Sequence, residues 1–271
     1  MNPMRTLRSA GTYAFLGVMA FLSVFPFLWM AFGATNPTTD IVKGKVGFGD
    51  ALSANAAAFF TQVNVPVVFW NSLKIAILQT LITLLVSSMA GYGFEIFRSR
   101  NKERIYNAIL LTLMVPFAAL MIPLFMMMGK AGLINTHVAV LLPFVGSAFI
   151  IFYFRQNTKS FPHELRDAAR VDGLKEWQIF FLIYIPVMRS TYAAAFIIIF
   201  MTAWNNYLWP LIVLQSNEMK TITLVISSLG SAYYPDYGVV MVGTVIATVP
   251  TLFVFFAMQR QFVEGMIGSV K

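Results

Sequence analysis

The sequence holds no cysteine among its 271 residues. That absence excludes disulfides, thiolate nucleophiles and cysteine-ligated metals. Charge is scarce too: Asp, Glu, Lys and Arg make up 11% of the chain, against about 25% in an average soluble domain. Acidic residues are the rarer sign, 11 against 19 basic ones, for a net charge of +8. The only histidines, His137 and His163, are far apart in the chain, so no histidine-based metal cluster is expected. No phosphate-cradling G-x-x-x-x-G-K-[ST] loop occurs anywhere, so the chain does not bind ATP in that way. No acidic pair falls inside an apolar run, which leaves a proton relay or a catalytic carboxylate pair without a candidate.

What is there is apolar. Hydrophobic residues make up 58% of the chain, against about 45–50% in soluble domains. A soluble fold of this length could not hide that much apolar surface. Six runs approach the roughly 20 residues that a helix needs to cross a bilayer core: 12–32, 74–94, 106–128, 138–154, 191–214 and 239–258. They do not alternate in polarity, which argues for helices over barrel strands. The expected fold is an all-α integral membrane protein, one domain over 1–271 with six transmembrane helices. The first run exceeds a signal-peptide core of about 7–15 residues and reads as an uncleaved span.

Basic residues fall in the gaps between runs. Fourteen lie on one side, from Arg5 and Arg8 through the 98–104 and 155–189 loops to Arg260 and Lys271; five lie on the other. This bias places both termini in the cytoplasm and makes the charge a property of loops, not a nucleic-acid surface. Three segments then face outward: 35–72, in which 51–68 reads as a short surface helix ended by Pro66; the tight connection 129–137; and 215–238. Proline recurs within the runs at Pro26, Pro116, Pro123, Pro143, Pro210 and Pro250. Each removes a backbone donor that lipid cannot replace, so bends are expected there.

The most informative inner loop is 160–186, SFPHELRDAARVDGLKEWQIFFLIYIP. Ser160 is a candidate cap and Pro162 suits a first turn. Glu164 and Asp167 favour the positive end of a helix dipole, and Gly173 suits a left-handed stop. A cytoplasmic helix of about three turns follows, with Leu165, Ala168, Ala169 and Asp172 on one face. Its small alanines let another surface approach the backbone.

These residues resemble the cytoplasmic coupling motif, often called the EAA loop, of permease subunits of bacterial ABC importers. Asp167-Ala168-Ala169, then Gly173, then Ile183, Ile185 and Pro186 keep every spacing of that pattern, with Asp for Glu and Ile for Leu. The likeness extends over nearly the whole chain to the maltose-transporter type of carbohydrate permease. It is carried by Trp70-Asn71-Ser72-Leu73, by Ala90-Gly91-Tyr92-Gly93-Phe94, by Trp204-Asn205-Asn206-Tyr207-Leu208-Trp209-Pro210 and by the tail from Phe262 to Lys271. Asn206 stands where the family commonly has Asp.

The resemblance implies a bacterial inner-membrane permease subunit that shares a pathway with a second permease. The 160–178 loop, through Glu164, Asp167, Ala168, Ala169, Asp172 and Gly173, would couple it to an ATPase dimer that holds ATP and Mg. No cofactor or metal is expected on this chain. An extracytoplasmic sugar-binding protein would deliver the cargo, with Tyr233, Tyr234 and Asp236 as its expected contacts. Trp204, Asn205, Asn206, Tyr207 and Thr248 are candidate pathway residues, and Gln79, Thr80, Thr83 and Ser87 form a further polar face in the second run. Alternatives are an ABC importer for a non-sugar solute and an ion-coupled transporter. The second is disfavoured by the lack of an ionisable residue at membrane depth.

Overall fold

The structure, a computed structural model, describes the backbone of residues 3–267 and the side chains of Ser9 and of residues 11–260. The tail motif at 262–271 and the basic side chains of Arg5, Arg8 and Lys271 lie outside the described side chains. Among the described residues there is no strand.

The helices run in chain order as α1 Pro3–Thr35, α2 Thr38–Val42, α3 Leu52–Gln62, α4 Val65–Ile96, α5 Arg100–Leu111, α6 Phe117–Lys130, α7 His137–Leu141, α8 Ala148–Thr158, α9 His163–Val171, α10 Glu176–Ile179, α11 Ile185–Val187, α12 Arg189–Trp204, α13 Leu208–Val213, α14 Ile222–Gly230 and α15 Tyr237–Ile267. A π-helical turn, Phe180–Tyr184, joins α10 to α11.

Three stretches are continuous helices long and apolar enough to cross a membrane: Gly11–Thr35, Val65–Ile96 and Tyr237–Arg260. The count rises to six when each of three bent pairs is taken as one span. The span expected at 106–128 is two helices, Arg100–Met114 and Phe117–Lys130, meeting at 104°, with Pro116 at the break. The short run at 138–154 is His137–Phe144 followed by Ala148–Thr158, bent by 45°. The run at 191–214 is interrupted: α12 stops at Trp204, and α13 resumes at Leu208. Upstream, Glu176–Val187 meets α12 at 82°. The surface helix expected at 51–68 ends at Gln62, and Pro66 sits in the first turn of α4 instead of closing α3. A proline there gives up a donor that has no helical partner anyway.

The chain divides into two compact units, one holding the chain up to Val65 together with Val225–Val249, the other Pro66–Leu224 and the chain from Pro250. In the first, the buried Asn55 amide donates to Ala34 O and Asn36 O, each at 3.0 Å. Asp236 Oδ1 accepts from Gly238 N and Val239 N at the start of α15 and from Thr38 Oγ1 at 2.7 Å. In the second, aromatic packing dominates: Tyr92, Phe161, Phe180 and Tyr184 form one buried cluster, and Trp209, Val213, Val140 and Leu224 belong to another.

Candidate functional site

Helix α9 occupies the centre of the 160–186 loop. It spans nine residues, a little shorter than expected, because Ser160 does not cap it: the Ser160 hydroxyl donates to Asn157 O, closing the preceding helix, and Pro162 stands at the cap. Its far end is closed as the sequence suggests. Gly173 has φ +84°, and Leu174 N donates to Ala169 O at 3.0 Å, which satisfies carbonyls that the helix leaves open. Glu164, Leu165, Asp167, Ala168, Val171 and Asp172 are exposed, whereas Ala169 is buried at 4% exposure. The two alanines therefore face different surroundings: Ala169 seats α9 on its own chain and Ala168 points away.

What holds α9 is a carboxylate that the sequence alone did not single out. Glu176 opens α10, and its two oxygens receive the Arg166 guanidinium, Nη2 to Oε1 at 2.7 Å and Nε to Oε2 at 3.3 Å. Arg170 approaches Oε1 at 3.7 Å, and Tyr92 Oη, from α4, donates to Oε2 at 3.3 Å. The Arg166 carbon also lies 5.2 Å from the centroid of Phe97, a cation–π distance. The hydrogen bonds that it donates to Glu176 hold the Arg166 guanidinium above its ordinary pKa, against desolvation by burial. The motif helix, the start of the next helix and the end of α4 thus meet on one side chain.

A second cluster lies one turn further along α4. Glu95, just past the expected run 74–94, falls inside α4 and is buried at 5% exposure. It is tolerated because it is paired: Arg155 of α8 donates to it through Nε at 3.3 Å, and Arg98 binds its other oxygen. Arg155 also binds Glu103 of α5 and covers the Tyr106 ring at 3.9 Å. Gly91 permits this approach. A Cβ there would lie 2.6 Å from Phe154 Cβ and 2.9 Å from Arg155 N.

The pathway candidates are dispersed. Trp204 is buried and packs edge-on against Phe69, 5.6 Å between ring centroids, and stacks on Phe200. Asn205 closes α12, its amide returning to Met201 O at 2.8 Å. Asn206 and Tyr207 lie on the non-helical corner before α13 and are half-buried. Trp209 donates its indole N–H to Ala139 O at 2.9 Å and is fully buried. Thr248, in the other unit, donates to Thr244 O and faces Met30 Sδ at 3.7 Å. Of the residues in the 215–238 segment, Tyr233 and Tyr234 are exposed and pack edge-on against each other, while the Asp236 carboxylate is spent on the start of α15 and on Thr38.

Comparison with known proteins places this architecture. Residues 84–268 match the family described as binding-protein-dependent transport system inner membrane component. A lactose transport system permease protein of Rhizobium radiobacter is 71% identical over 267 residues, 98% of either chain. An arabinooligosaccharides transport system permease protein of Halalkalibacterium halodurans is 36% identical over 262 residues, 93% of either chain. Among solved structures, a chain of a bacterial ABC transporter involved in the import of the acidic polysaccharide alginate superimposes with TM-score 0.81 at 20% identity, covering 97% of this chain and 99% of that one. At that identity the likeness speaks for the fold alone. The broken spans, the loop motif and the match over most of the chain lead to one conclusion: the protein belongs to the family of binding-protein-dependent transport system inner membrane components.

Proposed function

We propose that the chain is the permease subunit of an ATP-driven, binding-protein-dependent sugar importer, and that its cargo is a neutral disaccharide of the lactose type. The observation that carries the cargo is the 71% identity, over 98% of both chains, to a lactose transport system permease. The bias of basic residues supports cytoplasmic termini, which puts α9 on the side where ATP is available.

In this mechanism the exposed residues of α9, Glu164, Leu165, Asp167, Ala168, Val171 and Asp172, dock on an ATPase subunit. That ATPase belongs to a dimer that binds ATP and Mg. Closure of the dimer displaces α9. Glu176 carries the displacement to α4 through Tyr92 and to α12 through the turn 180–184, and the pathway shared with a second permease opens outward. Tyr233 and Tyr234 meet the extracytoplasmic sugar-binding protein. Asn205, Asn206 and Tyr207 line the corner through which solute leaves, Trp204 packs α12 beside that corner, and Thr248 serves the pathway from α15. Ala169 acts by seating α9, so a bulky residue there lifts the helix off its own chain.

The deciding experiment is sugar-stimulated ATP hydrolysis by this chain reconstituted with the ATPase, the second permease and the binding protein. Stimulation by lactose is expected. An assembled complex that responds to no sugar would overturn the carbohydrate assignment.

A further inference from the structure

Along one face of α4 the aliphatic residues Leu78, Leu81, Leu85 and Met89 are exposed. Past Met89 that face opens into a groove of about 180 Å3, with Gly93 and Phe97 on one side and Trp177 and Phe181 on the other. Glu176 is the one charged group in its wall, and Arg166 and Arg170 neutralise it.

Two independent observations indicate an occupant. Gly93 lies inside α4, where a glycine weakens a helix relative to alanine. A Cβ there would meet nothing within 4 Å, so no neighbour in the chain needs the missing side chain, and the floor of the groove stays bare. The second observation is a surplus of positive charge at the mouth. The Lys102 ammonium lies 5.0 Å from the centroid of the Phe97 ring, and Arg166 approaches the same ring. Arg166 is matched by Glu176. Lys102 forms no ion pair among the described residues: Glu95 is taken by Arg98 and Arg155, and Glu103 by Arg155. Arg100 and Arg104, close by in the chain, are exposed and of the same sign.

Position and chemistry together define the occupant. The groove runs along the last turns of the apolar run 74–94, and Phe97 and Lys102 stand just beyond it. This is the level at which hydrocarbon gives way to headgroups, and Trp177, 62% exposed, is the kind of side chain found there. Whatever fills the groove is thin and apolar over Gly93 and anionic at Lys102. A helix with its side chains is about 10–12 Å across and would lie over so small a space without filling it. A phospholipid acyl chain enters it. A zwitterionic headgroup would bring its own ammonium to a mouth that is already positive, whereas basic sites between membrane helices hold anionic headgroups.

We propose that this groove holds one anionic phospholipid, with an acyl chain over Gly93, the phosphate on Lys102 and Trp177 beside the headgroup. The site is independent of which solute is carried. Tyr92 and Glu176 also line the groove, so the lipid rests against the cluster that ties α9 to α4.

The test uses the assembled importer in phosphatidylcholine vesicles that contain a small fraction of phosphatidylglycerol with a photoactivatable acyl chain, and adducts on this chain are mapped by mass spectrometry. Adducts are expected within 89–97 and 176–181, and unlabelled phosphatidylglycerol should compete them away. Lys102→Gln should lower their yield by about fivefold, the loss of one basic contact to an anionic lipid. Gly93→Leu, which fills space that no neighbour occupies, should abolish them. Should one variant fail to assemble, the other carries the test. Equal yields from a phosphatidylcholine probe, or yields that neither variant changes, would overturn the site in favour of bulk lipid. No adduct in either stretch, with the same residues crosslinking to another subunit, would overturn it in favour of a subunit interface.

Discussion

Tyr92 and Glu95 sit one turn apart on α4, and each ties that helix to a different stretch of the chain. Glu95 meets Arg155 with both side chains less than a tenth exposed. Tyr92 meets Glu176, whose pair with Arg166 leaves the carboxylate 36% exposed. Opening the first pair strands a charge in an apolar setting, which is severely unfavourable. Opening the second costs less, because the Glu176 carboxylate already meets water, although Arg166 and Tyr92 are largely buried. The chemistry is shared, but burial makes the Arg155 cluster a fixed joint between α4, α5 and α8 and leaves the Glu176 cluster the easier of the two to open.

The sharpest way to break this contrast is Arg155→Ala. It leaves Glu95 buried without its partner and should cost about 3–5 kcal/mol, seen as loss of the subunit from the membrane fraction. Glu176→Gln should behave differently. The subunit should persist and basal ATP hydrolysis continue, while lactose uptake per ATP falls by about tenfold, within the usual range of coupling energies. Equal loss of protein in both variants would erase the distinction. Gly173→Val forces a β-branched residue to φ +84° and should cost about 1–2 kcal/mol locally, with reduced uptake at a normal protein level.

Thr83→Val removes the hydroxyl's bond to Phe144 O and should change stability by about 0.6 kcal/mol, read by thermal unfolding in detergent. The smallest effect belongs to a third pair, Lys45–Asp40, which lies in the open. The bonded Lys45 ammonium holds the Asp40 carboxyl below its ordinary 3.8. A carboxyl depressed in the fold contributes above its unfolded pKa, and that contribution fades as pH falls through the folded value. At pH 7 the pair is therefore fully formed, and solvent screening keeps it weak. Asp40→Asn should leave lactose uptake at pH 7 unchanged.

The sequence reveals the spans because about 20 apolar residues in a row leave few alternatives, and it reveals the end of α9 because Gly173 is suited to a left-handed residue. It does not reveal Glu95–Arg155, whose partners are sixty positions apart and which reads as loop charge at each end. Arg166 and Glu176 are only ten apart, but their meeting depends on how α9 turns into α10. Opposite charges at the edges of neighbouring runs were the available signal. The polar face at Gln79, Thr80, Thr83 and Ser87 is visible as a helical stripe. The groove over Gly93 is not, since it is a product of packing between α4 and a distant turn of the chain. The interruption at 205–207 was hidden because the residues around it remain apolar or aromatic.

The wide turn at Phe180–Tyr184 has a geometric consequence for the 160–186 loop. A π turn accommodates one residue more than an α turn, and each residue in a helix advances the azimuth by about 100°. The interval from Gly173 to Pro186 therefore acts as a protractor between the loop and α12. Deleting a single residue within 180–184 would close the bulge into an α turn and leave the azimuth of Glu176 nearly unchanged, whereas deleting one from the α-helical stretch before it would swing the preceding chain, α9 included, by about 100°. The exposed face of α9 would then point another way, with every side chain of that face still present. The count of residues outside the bulge is fixed by this angular demand, independent of which side chains fill the interval.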